Sequence, residues 1–584
     1  MPYRWRNASE DEKGIFLLGT LFLSTLTMLI VTVGLTRTFT EMRAATLNLR
    51  KTQDFHMAEA AIDYGLVEAR RQVLTLDQFP TQLWPPIAPP TLPDIPGHYS
   101  LRTYEVTFLD PSQPREVTIG TGIPALLPYQ GMKALVRDLR IRVDLVGPTG
   151  LRTYLESVSQ FHLIPIYQFA EFDWNDWTFT PGPEMSITGP IHANGSIALG
   201  PDTGLTIDGA ITTSKEFLHI LPGIGYVKIK GSDGNYHDMR NTDGSWLQSI
   251  DANGMADIAS RWGGQVKARV PAITLPMPKD AGGNPLAPIS LIQSYSASDT
   301  AELRRAKMFY QADLRIKDGN KIDANGNSLG LLPLGVVSPA TFWDAREQQT
   351  MCVTEVDLKV LQDRNLIPDT DGNGRILYIE STQPGCKNGV RLINGQVLNY
   401  PLTIVTHNPL YVVGDYNIGD PNPSTPKPKQ PASLMADAVT VLSPAWHDAN
   451  STHSTTQRVA ADTTLNAALM TSRAWQLESD TPAQPLVDPY LEHKAASEHM
   501  IRFLENWDGK TFWFTGSEVS PWDSHEATPN LACCGDGGAY NAPRRVWAFE
   551  QSFLTNSQWL PPGTPKIHAV VIGSWRECAG GPCR

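Results

Sequence analysis

The chain has 584 residues, enough for about two to four domains, and carries 48 Lys and Arg against 60 Asp and Glu, a formal net charge of −12. No dense Lys/Arg cluster appears, so nucleic acid is not an expected partner, because phosphate binding needs a basic face. Glycine and proline number 46 each, which suits turns and loops better than a helical bundle, and the charged fraction of 18% is low for a cytosolic protein of this size.

The first predicted element is a helix. Residues 15–35, "IFLLGTLFLSTLTMLIVTVGL", contain no charged side chain, and about 20 such residues cross a bilayer core. A secretory signal has a shorter apolar core, about 7–15 residues, followed by a small-x-small cleavage site. Here "TRTFTEMRAATLNLRKTQDF" follows with no such site. The plain alternative is a simple signal-anchor. No proline falls between Pro2 and Pro80, and Phe39, Met42, Ala45, Leu49, Phe55, Ala58, Ile62, Leu66, Ala69 and Val73 recur at steps that put most of them on one helical face. One helix is therefore expected over residues 15–79, on the order of 95 Å long at about 1.5 Å per residue. Its first third would lie in lipid and the rest on its own domain. Gly65 would lower its stability by about 1 kcal/mol without ending it.

The junction "EKGIF" and the downstream "FHMAEAAIDYGLVEAR" resemble, in order and spacing, the leader site and helix end of PilX-type minor pilins of type IV pili. The resemblance covers about the first 75 residues. It implies a leader over residues 1–14, cut on the cytoplasmic side between Gly14 and Ile15, and a helix kept on the mature chain. Counting from Ile15, the fifth residue is Gly19, where major pilins of that family carry a glutamate used in assembly. The departure points to a minor, tip or priming subunit, or to a pilin-derived anchor.

Residues 80–97 form a Pro-rich linker, expected to be extended. Three β-like runs fill residues 98–168. The clearest alternates Leu139, Ile141, Val143 and Leu145 with Asp138, Arg140, Arg142 and Asp144, the pattern of a half-buried antiparallel strand. "GPTG", residues 147–150, would be its hairpin turn. A long helix on an antiparallel sheet is also the plan the resemblance implies. From residue 169 to 584 a β-rich extracytoplasmic domain is expected. In it "SITGPIHANG" and "TIDGAITTS" share Ile187-Gly189-Ile191 and Ile207-Gly209-Ile211 at an offset of twenty residues, which suggests a β-solenoid or is a coincidence. "PLTIVTHNPLYVVGDYN" and "DAVTVLS" are apolar at consecutive positions, as strands buried on both faces would be.

No catalytic motif is present, and no enzymatic activity is expected. "DTDGNGRILYIE", residues 369–380, fits the calcium-loop pattern. Asp369, Asp371 and Asn373 would supply side-chain oxygens, Arg375 a carbonyl and Glu380 a last carboxylate. Calcium is the one expected cofactor; the plain alternative is a turn rich in Asp, Asn and Gly. "KIDANGNS" is read as a turn. His447 and His453 sit six apart in a polar loop, read as solvated. In "EFDWNDWTF", Trp174 and Trp177 make either a sugar-binding platform or a core pair. Of the six cysteines, Cys352 and Cys386 would bridge the loop that holds residues 369–380. Cys533 or Cys534 would pair with Cys578 or Cys583. Disulfides fit an exported body.

The fold class expected is α+β, a transmembrane helix packed on an antiparallel pilin-like sheet, then a large β-rich domain. The expected function is structural or adhesive: a minor subunit of a type IV pilus or related filament. It would sit in a bacterial cytoplasmic membrane as a single pass, body outside. Expected partners are lipid, other pilin-like subunits through the helix, and a surface or polysaccharide ligand. The alternatives are an anchored β-helix enzyme acting on polysaccharide, and a type II secretion pseudopilin.

Overall fold

The computed structural model describes residues 10–73, 79–92, 98–109, 114–220, 224–280, 282–370, 372, 374–420, 427–472, 500–527, 534 and 537–578. Helix α1 runs from Glu10 to Val73, unbroken by proline, and ends on Arg70 and Arg71, cations that suit the negative end of a helix dipole. Ile15, Phe16, Leu17, Leu18, Phe22 and Met28 are exposed. Thr20, Thr27 and Thr32 donate their hydroxyls to the carbonyls of Phe16, Leu23 and Met28. Such back-bonding removes free polar groups from a segment with an apolar exterior. The helix is shorter than residues 15–79 at its C-terminal end: residues 74–78 lie outside the described residues, and Phe79 is non-helical.

The last third of α1, from Asp54 onward, packs on an antiparallel sheet. Its strands are β1 (Ser100–Phe108), β2 (Arg115–Thr118), β3 (Lys133–Val146) and β4 (Arg152–Pro165), with β2 and β1 both paired to β3 and β4 on its other side. Leu139, Ile141, Val143 and Leu145 of β3 are buried against Ala58, Ala61, Ile62 and Ala69 of α1. The alternation read in the sequence is thus the contact face of the sheet. Gly150 N–H donates to Gly147 C=O at 2.9 Å, closing the β3–β4 hairpin at the expected "GPTG".

The Pro-rich stretch, without helix or strand over residues 79–92, is not free: Phe79 and Leu83 are buried in the helix–sheet core, and Arg137 of β3 donates to the carbonyls of Pro80 and Thr81. Nor does the β-rich body run from residue 169 to the end. The strand Lys566–Glu577 returns to pair antiparallel with β4. Residues 166–565 are therefore an insertion between two neighbouring strands of one sheet.

Within the insertion, short strands stack in parallel: β5 (Glu171–Asp173), β6 (Trp177–Phe179), β7 (Met185–Thr188), β8 (Ile191–Ala193), β9 (Ile197–Leu199), β10 (Gly204–Asp208), β11 (Ile211–Thr213) and β12 (Phe217–His219). Ile187 pairs with Ile207, Ile191 with Ile211, and Ile197 with Phe217, each twenty residues on. The isoleucines stack as buried ladders. A Cβ on Gly209 would strike the Gly189 carbonyl, so this glycine permits the close approach of the two paired segments. Further along, Leu402–Val405, Ala432–Met435 and Val439–Leu442 are buried at every position; the first two belong to the large sheet that continues through Thr511–Ser520 to β5, and the third to a separate six-stranded sheet with parallel neighbours.

Candidate functional site

Trp174 and Trp177 separate. Trp177 opens β6, is fully buried and stacks on Phe179 at 5.2 Å. Trp174 lies in the bend after β5, half-buried, with its N–H donating to Ser520 C=O at 2.9 Å. It walls a cleft of about 260 Å³ lined also by Asn175, Asp176, Asn194, Lys215 and Thr274. Strand stacking builds this cleft. Gly195 N–H donates to Asn175 C=O at 2.9 Å, and Lys215 N–H to Gly195 C=O at 3.3 Å, so the same bend recurs every twenty residues.

The floor is rigid. Asp173 Oδ1 accepts from Asn175 N–H at 2.6 Å, and Asp176 Oδ1 from Ser196 N–H at 2.6 Å. Asn194 Nδ2 donates to Ile273 C=O at 2.7 Å, while its Oδ1 accepts from Ile273 N–H at 2.7 Å. That pairing fixes which end of the amide is oxygen. His192 Nε2, 3.0 Å from the same oxygen, is therefore the donor. Burial lowers the His192 pKa to about 4, so the imidazole is neutral at physiological pH. Its Nδ1 lies 2.8 Å from Thr212 Oγ1.

Sequence reading found Trp174 and missed the other walls. The signal for Asn194 and Lys215 was the twenty-residue offset: carried back one turn from Ile187, it aligns residues 174 and 194, and 175, 195 and 215. Thr274 follows in non-periodic chain and left no such signal.

The segment that fits the calcium-loop pattern lies between a helix, Leu358–Asp363, and a strand, Arg375–Glu380. Asp371 and Asn373 lie outside the described residues. Asp369 Oδ1 accepts from Gly372 N–H at 2.8 Å. The Arg375 guanidinium sits 3.6 Å over the Tyr400 ring. Glu380 is buried and its Oε1 accepts from Lys317 Nζ at 3.0 Å. Among the described residues no group of three or more His, Cys, Asp or Glu is placed to hold a metal ion. His447 and His453 are exposed.

Cys352 and Cys386 form a disulfide, their Cα atoms 5.7 Å apart. Cys534 and Cys578 each take part in a disulfide; Cys533 and Cys583 lie outside the described residues. At the N-terminus, α1 contains Gly14 and Ile15. It is the one helix among the described residues long and apolar enough to cross a membrane.

No protein-family model and no curated protein matches the chain. Among solved structures it is similar to the crystal structure of the competence-associated pilin ComZ from Thermus thermophilus, at 10% identity and a TM-score of 0.24, covering 91% of this chain and 97% of that one. A likeness of that size is too slight to argue from.

Proposed function

We propose that this chain is a pilin-like protein anchored by α1 in a bacterial cytoplasmic membrane, a minor, PilX-type subunit of a type IV pilus or related filament. The observation that carries the reading is the division of α1. One continuous helix is apolar and exposed through its first part and buried on an antiparallel sheet through its second. Anchor and domain are thus a single rigid element, as a subunit needs if packing in lipid is to fix the orientation of what it displays.

In this reading the leader is cut after Gly14. Other pilin-like subunits pack on the exposed helix, where Phe39, Met42 and Leu49 lie beyond the apolar span. The body inserted between β4 and the last strand is held outside the membrane, and its parallel stacks form a β-solenoid. Both attachments of the body pass through one sheet, so it moves with the helix rather than swinging on a tether.

Mass spectrometry of the N-terminus of the chain from native membranes tests this. A mature chain starting at Ile15 is expected. A start at Met1, or beyond Leu35, ends the pilin reading.

A further inference from the structure

We infer that the cleft beside Trp174 is a carbohydrate site that takes a neutral pyranose ring. It is independent of the anchor and holds whether or not the chain enters a filament. Three tryptophans of the body, Trp177, Trp262 and Trp507, are fully buried and fill cores. Trp174 is instead half-buried and lines a cavity of about 260 Å³, slightly under the usual range for small-molecule pockets, about 300–1,000 Å³. That size suits a single sugar ring.

The lining matches the two sides of such a ring. A flat indole would meet the C–H face, and Asn175, Asp176, Lys215 and Thr274, which line the same cleft, are residue types that carry donors and acceptors for hydroxyls. The cleft carries one carboxylate and one ammonium among these residues, so neither a cationic nor an anionic ligand is favoured by net charge. Asp176 Oδ1 is already engaged by Ser196 N–H. The backbone beneath Trp174 and Asn175 is pinned by Ser520 C=O and Asp173 Oδ1, so the indole and amide need little ordering when a ligand arrives. With a single carboxylate lining the cleft, the arrangement suits retention of a glycan; its hydrolysis ordinarily needs a carboxylate pair.

The test uses the full chain in a detergent without a sugar headgroup. The probes are the methyl glycosides of glucose, galactose, mannose and N-acetylglucosamine, followed by saturation-transfer NMR and tryptophan fluorescence. Saturable binding of at least one is expected. Trp174→Ala weakens it about tenfold or more, as loss of an aromatic anchor does, and Trp174→Phe weakens it less. Ala272→Trp, at an exposed position on the cleft rim, blocks it without touching the core. Trp513→Ala, at another partly exposed tryptophan, leaves it unchanged. The inference is overturned if no probe binds at about 20 mM, well above a millimolar dissociation constant. Undiminished binding in Trp174→Ala or in Ala272→Trp overturns it equally.

Discussion

Tyr104 and Gly65 meet where α1 crosses the sheet: a Cβ on Gly65 would lie 2.6 Å from the Tyr104 hydroxyl and 3.1 Å from Val106 Cγ2. The hydroxyl donates to the Ala61 carbonyl at 3.2 Å, one helical turn before Gly65. The glycine that costs an isolated helix about 1 kcal/mol is what lets β1 approach α1.

Gly65→Ala is therefore expected to destabilise the protein by about 1 kcal/mol net. Crowding of the interface and loss of the Tyr104 hydrogen bond outweigh the gain in helix propensity. In a Tyr104→Phe background the hydroxyl is gone, and the same change should be neutral or stabilising. Urea midpoints of the four proteins in this cycle check the sign; a stabilising Gly65→Ala in the wild-type background would refute it.

The Cys352–Cys386 disulfide joins the starts of two hydrogen-bonded parallel strands, in which Met351 pairs with Lys387. The bond closes a loop of 34 residues in sequence. Restricting the unfolded chain over that length contributes about 3–4 kcal/mol. The double variant Cys352→Ser/Cys386→Ser should lose that much in equilibrium urea unfolding, with little change in the far-ultraviolet circular dichroism of the folded state. A loss below about 1 kcal/mol would mean that the unfolded chain is already held near closure.

Much of the fold was legible because its signals are local. Leu139 to Leu145 alternate since one face of β3 meets α1. The Ile-x-Gly-x-Ile copies recur since parallel strands twenty residues apart pair isoleucine with isoleucine. The returning strand at Lys566–Glu577 was not legible: its partner β4 is some four hundred residues away, and nothing in its own pattern names that partner. Trp174 and Trp177 could not be told apart from composition, because the bend between β5 and β6 decides which of them turns inward. Gly374 gives a further case. The calcium pattern asks for glycine there, and so does packing: its φ is +102°, and a Cβ would press on Pro562 and Pro401. One residue type serves two readings that the sequence alone does not separate.

Glu380 is expected to contribute nothing to calcium uptake by residues 369–375. It ends a strand that rises about 3.3 Å per residue away from the loop, and its register partner Lys317 holds its carboxylate. Calorimetric titration of calcium chloride into the purified chain should show uptake that Asp371→Ala abolishes and Glu380→Gln leaves unchanged. Loss of binding in Glu380→Gln would place that carboxylate on the ion. No uptake by the wild type at millimolar calcium would make the loop a turn only.

His192 makes the body acid-sensitive, and the sign follows from its burial. Its pKa falls from 6.5 to about 4 in the folded chain, chiefly because burial disfavours the imidazolium. The unfolded chain therefore binds a proton as pH drops through about 6.5, while the folded chain stays neutral until about 4. Stability attributable to this group is fully present above pH 6.5. It is lost progressively over the interval down to about pH 4, on the order of 3 kcal/mol in all. Burial lowers His219 to about 4 and His568 to about 3 as well, so the wild type should weaken steeply over that range. His192→Gln removes one titrating group while keeping an amide near Asn194. It should be less stable than wild type at pH 7.5, where packing and the Asn194 contact are impaired, yet lose less on acidification. Urea midpoints of both proteins between pH 7.5 and 4.5 decide the matter. The expected result is a difference that shrinks as pH falls. Parallel curves would show that His192 takes up a proton in the folded body as readily as in the unfolded chain, so that burial does not hold it neutral.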